Sequence, residues 1–153
     1  MKLPSFPGAA ALLAFLALPA AAQMVPLQEG DVSGACGCRF GSDAPGKPTL
    51  VFWSQEGKRE AVLRTAKGVQ KLNLYGEKYI PEQREVPRIS DRFTLQVANG
   101  DTNVQWLGTV TSSCSPKAKR CAGTSYKGRL VVLWDGKRRE QLDAWGQCSC
   151  PAP

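Results

Sequence analysis

Apolar and polar residues alternate through most of this chain with the two-residue period of a β-strand, and no stretch keeps the 3.6-residue period of a helix. Cys36, Cys38 and Phe40 alternate with Gly37 and Arg39, which predicts a first short strand. The apolar run Leu50 to Trp53 is followed by a turn at Gly57 and by Ala61 and Leu63 alternating with charge, which predicts a hairpin. A turn at Ala66-Lys67-Gly68 leads to a strand marked by Leu72 and Leu74. Further on, Phe93, Leu95 and Val97 share one face, Asn99-Gly100 is a strong hairpin signal, and Val104, Trp106 and Val110 continue beyond it. A last apolar run, Leu130 to Trp134, turns at Asp135-Gly136 into a strand from Arg138 to Gln147. Seven or eight short strands with regular turns predict a single antiparallel β-barrel or β-sandwich over residues 36–153.

Two stretches break the alternation. Residues 76–90 carry Pro81, Pro87 and many charges, and they read as a long loop offering Tyr79, Ile80, Arg84 and Arg88 to a partner. Residues 115–120 form a basic loop, with Lys117, Lys119 and Arg120 between Cys114 and Cys121.

The N-terminus has another character. Lys2, an apolar stretch ending at Leu18 and small residues up to Ala22 make a secretory signal peptide of residues 1–22. Residues 23–35, broken by Pro26, Gly30 and Gly34, read as a flexible lead-in. No segment has the roughly 20 apolar residues of a spanning helix. Export to the periplasm or beyond the cell is the expectation.

Export changes the meaning of the six cysteines, because disulfides persist in oxidising compartments. The two Cys-x-Cys pairs share parity with core-facing neighbours. If the first and last strands are antiparallel neighbours, Cys36 faces Cys150 and Cys38 faces Cys148. Cys114 then has Cys121 as its local partner. The competing use is a thiolate metal site, but zinc sites more often place two to four residues between paired ligands. Neither metal nor cofactor is expected.

The chain contains no histidine, which excludes Ser-His-Asp and Cys-His catalysis and histidine-ligated metals. Asp91, Asp101, Asp135 and Asp143 stand at predicted strand ends and turns, where aspartate serves the backbone. The expectation is a non-enzymatic, exported binding or accessory domain that recognises a protein partner through its loops. The alternative follows from the net charge of +7. An anionic polymer (acidic glycan, lipopolysaccharide or nucleic acid) would meet Lys117, Lys119, Arg120, Lys137, Arg138 and Arg139. Trp145, of opposite parity to Leu142 and Ala144, would add an outward stacking surface. Trp53, Trp106 and Trp134 sit in apolar runs and are expected in the core.

Overall fold

In a computed structural model, residues 23–32, 36–42, 48–54, 59–80, 87–114 and 123–150 are described, with residues 78–80 described for backbone only. The expected signal peptide lies outside them. Nine strands follow in order: β1 (Met24–Val25), β2 (Gly37–Ser42), β3 (Thr49–Ser54), β4 (Glu60–Thr65), β5 (Gly68–Ile80), β6 (Arg92–Asn99), β7 (Thr102–Ser112), β8 (Thr124–Trp134) and β9 (Arg138–Ser149). Each strand from β2 to β8 pairs antiparallel with its successor, and β9 returns to pair with β2. The result is a closed eight-stranded up-and-down barrel, with β1 as an extra strand on β4. Closure removes the exposed sheet edges that would otherwise template pairing with another chain.

The closing seam is where the first and last strands meet. Cys38 pairs with Cys148 in the β2–β9 ladder, and the disulfides are Cys36–Cys150 and Cys38–Cys148, as strand parity predicts. They span sequence separations of 114 and 110 residues. With their sulfurs bonded to one another, these four cysteines present no thiolate set for a metal. Cys114 is disulfide-bonded as well, while Cys121 lies outside the described residues. Two intramolecular disulfides accord with an oxidising environment.

Inward positions of all eight strands fill the barrel. Trp53, Trp106, Trp134, Phe40 and Phe93 are buried with Leu63, Leu72 and Leu130. Ring contacts run through the interior: Phe40 to Trp106 at 4.6 Å, Trp53 to Phe93 at 6.0 Å and Phe93 to Tyr126 at 5.3 Å between centroids. Each such ring buries about 150–250 Å², so each buried tryptophan contributes roughly 4–6 kcal/mol at 25 cal/mol/Å². The interior is therefore a packed core, and the surfaces left for recognition are the rims and the outer face. Glu77, which shares the inward parity of its partner Leu95, pairs with Arg59 at one mouth. The Arg59 guanidinium lies 5.3 Å from the Trp53 ring.

The turns follow their sequence signals. Asp135 and Gly136 both have positive φ, 52° and 65°, and Lys137 N donates to Trp134 O at 2.9 Å, a primed hairpin turn suited to strand twist. At the Asn99-Gly100 hairpin, Thr102 N donates to Asn99 Oδ1 at 3.1 Å. Asp91 accepts from Arg88 N at 2.8 Å, so this acid serves its turn as expected.

Two expectations are corrected. The lead-in is not free: Met24 pairs with Thr65 and is 6% exposed within the core, because it finds the edge of β4 that β3, whose pairing with β4 runs from Ala61 to Leu63, leaves open. Leu27 N donates to Thr49 O at 2.8 Å, and Arg64 grips Asp31 through Nε and Nη2 at 2.7 and 2.6 Å. Residues 76–80, assigned to a loop from sequence, continue β5, pairing with β6 up to Ile80 and Arg92.

The Arg64 hydrogen bonds, helped by Gln28 N, hold the Asp31 carboxyl down at about 2, against an ordinary value near 3.8. A depressed carboxylate contributes fully above its unfolded value and loses its contribution as pH falls through the folded one. Docking of residues 23–32 is thus expected to be complete above about pH 4 and to weaken between about pH 4 and pH 2. Amide hydrogen exchange at Met24 and Val25 checks this. Asp31→Asn should exchange faster at neutral pH and lose the acid transition, and an identical transition in that variant would assign it to another group.

Candidate outer-face binding site

The register of β5 to β9 writes rows of side chains across the outside of the barrel. One row reads Arg139, Leu133, Asn103, Ala98 and Asn73, and the next reads Gln141, Val131, Gln105, Gln96 and Gly76. Below them come Asp143, Arg129, Leu107 and Thr94, then Trp145, Lys127, Thr109 and Arg92. The upper half of this face is rich in amides and the lower half is cationic.

A groove of about 270 Å³ opens in the upper half, lined by Tyr75, Gln96, Asn103, Gln105, Val131 and Leu133, with Arg139 at its end. Its wall is made by a β-bulge. Leu74 pairs with Val97 and Gly76 with Gln96, so Tyr75 is an extra residue without a partner in β6. A bulge re-aims the side chain it carries, and Tyr75 stands out at 56% exposure. Asn103 Nδ2 donates to the Tyr75 hydroxyl at 2.6 Å and fixes the ring's outer end. Gly76 completes the shape, since a Cβ there would stand 3.0 Å from Gln96 Oε1, where the Gln96 amide now lies. Arg139 Nη2 donates to Gln141 Oε1 at 2.9 Å, and half-buried Val131 and Leu133 form an apolar floor.

No protein-family model, curated protein or solved structure matches this chain. The chemistry of the site therefore rests on the residues that form it.

The site residues expected from sequence fall in several places. Arg139 lines the groove, and Lys137 and Arg138 are exposed at the β8–β9 turn, with Arg138 6.0 Å from the Trp134 ring. Arg84, Lys117, Lys119 and Arg120 lie outside the described residues, as do the side chains of Tyr79 and Ile80. Arg88 is exposed beside the turn that precedes β6.

Of the basic loop, only the flanking strand ends are among the described residues. The strand ends that bracket the loop, Ser112 and Thr124, lie at the opposite end of β8 from Trp134 and Arg138. β8 is eleven residues long, so its two ends stand about 33 Å apart at 3.3 Å per residue.

Trp145 is outward, as parity requires, but it is only 5% exposed and cannot serve as a stacking platform. It pairs with Gly41, and a Cβ on that glycine would lie 2.9 Å from Trp145 Nε1, so the ring is folded down across the bare backbone of β2.

Sequence reading missed Arg92, Lys127 and Arg129. All three are exposed and lie in adjacent outer rows, although they belong to β6 and β8. Their outward parity against Phe93, Tyr126 and Leu130 was legible in the sequence. Their proximity was not, because β7 lies between β6 and β8 and only the register aligns them.

Proposed function

We propose that the protein is an exported, non-enzymatic binding domain that holds an anionic polymer against the outer face of β5 to β9. The observation that carries this reading is the lower half of the face. Lys127 and Arg92 flank Thr109 in one row, and Arg129 stands beside Leu107 in the next. Neighbouring strands are about 4.8 Å apart, so Lys127 and Arg92 sit near 10 Å from each other, about one Debye length at 0.1 M salt. Their fields add along a line across the strands, which favours an extended ligand. Asp143, opposite Arg129, is the acid on these rows.

Binding of a polyanion releases counterions, so affinity is expected to fall steeply with salt. Replacing Lys127→Gln together with Arg129→Gln is expected to reduce the slope of log affinity against log salt by about two. Fluorescence anisotropy with a labelled polyanion measures it. An unchanged slope would remove this face from the account.

A protein partner is a second reading, favoured by one observation. Ile89 is 67% exposed on a turn held by Ser90 N to Val110 O at 2.9 Å and Val110 N to Asp91 O at 2.8 Å. A rigid turn presents an apolar anchor at low entropic cost. Such binding would weaken little with salt and would be abolished by Ile89→Asp.

A further inference from the structure

We propose that the Tyr75 groove is a saccharide subsite, so that the anionic polymer is an acidic polysaccharide whose sugar units seat one at a time in the groove. This inference rests on the polyanion reading for its charge and adds the ligand's chemical class.

Its support is the combination of groups. A sugar ring has a C–H face and a rim of hydroxyls that both donate and accept. The Tyr75 ring and the Val131–Leu133 floor supply apolar contact for the first. Gln96, Asn103 and Gln105 supply carboxamides, each with both donor and acceptor functions, for the second. The Tyr75 hydroxyl accepts from Asn103 and so keeps its own proton to donate. Arg139 offers a planar fork to a carboxylate.

Other anionic ligands fit less well. Single-stranded nucleic acid wants successive aromatic platforms, and among the described residues this face carries one exposed ring, since Trp145 is buried. An acyl chain wants a continuous apolar slot, whereas amides interrupt this floor. At about 270 Å³ the groove is smaller than a typical drug-sized pocket, which suits one ring of a chain that continues over the cationic rows.

The shape is also local and built. The bulge at Tyr75, the bare backbone at Gly76 and the Asn103 brace act together to hold one ring beside three amides. A solvated polar face needs none of these.

The test compares two polyanions of matched charge and length on the oxidised protein by calorimetry: an oligogalacturonate, which carries carboxylates on sugar rings, and poly-glutamate, which carries them without sugar. The oligogalacturonate is expected to bind about tenfold or more tightly, the scale of one additional well-made contact. Tyr75→Ala and Gln105→Ala should each abolish that preference while leaving poly-glutamate affinity and the thermal melt unchanged. Equal affinity for the two polymers in the unaltered protein, or equal weakening of both by Tyr75→Ala, would overturn the subsite while leaving the polyanion reading intact. Tighter binding of a matched single-stranded oligonucleotide would overturn it in favour of nucleic acid. Absence of salt-dependent binding to any polyanion would defeat the underlying reading as well.

Discussion

Removing both seam disulfides is expected to cost about 4–5 kcal/mol of folding stability, whereas removing either alone costs well under half of that. The chain-entropy model assigns a loop of about 100 residues roughly 4.7 kcal/mol. Cys36–Cys150 and Cys38–Cys148 close nearly the same loop, with separations of 114 and 110 residues. Once one rung is in place, the second finds little denatured-state freedom left to remove. Urea denaturation of Cys36→Ala/Cys150→Ala, of Cys38→Ala/Cys148→Ala and of the fourfold variant measures this directly. Strictly additive losses would mean that each disulfide acts through native contacts at the β2–β9 seam rather than through the loop. The inner pair will show a somewhat larger single loss, because Cys38 is fully buried and its replacement leaves space in the core.

The second large effect belongs to the interior. Trp106→Ala is expected to destabilise by about 3–5 kcal/mol, the range for deleting a large buried ring. Its ring lies 4.6 Å from that of Phe40 and rests on the backbone at Gly108 and Gly146, so few neighbouring side chains can move into the space. Trp106→Phe should cost distinctly less. It retains most of the apolar contact and removes an indole N–H that has no acceptor among the described residues, the kind of buried donor that costs about 1–3 kcal/mol when left unmade. Chemical denaturation of both variants checks the order, and a Phe variant as unstable as the Ala variant would mean that the indole's shape, not its area, is what the core requires.

These two effects rest on features that local pattern could reveal. Parity alone aimed Cys36, Cys38, Cys148 and Cys150 inward, and the pairing into two rungs then depended on one condition, antiparallel contact of the first and last strands, which the β2–β9 ladder supplies. Trp53, Trp106 and Trp134 declared themselves by sitting in apolar runs, and the Asn99-Gly100 and Asp135-Gly136 turns by their dipeptides.

The groove was hidden for a physical reason. A β-bulge reverses the alternation partway along a strand, so Leu72 and Leu74 predict inward positions that the residues after Tyr75 no longer follow. Prolines and charges further along then made the end of β5 look like loop. Docking of Met24 was hidden too, because it depends on where β3 stops along β4. Trp145 could be placed outside but not judged exposed, since Gly41, which gives it room, lies on a strand at the other end of the sequence. In each case the missing information was register, a property of strand pairs.

Recognition is proposed to take place on the outside of a filled barrel, on β5 to β9. Backbone amide chemical-shift mapping of the oxidised protein during titration with an oligogalacturonate locates the contact surface residue by residue. Shifts are expected to concentrate at Tyr75, Gln96, Gln105, Lys127 and Arg129, with the inward residues Trp53, Leu63 and Leu72 unmoved. Saturable shifts confined to β2 to β4, or to the rim loops away from these strands, would contradict the proposal.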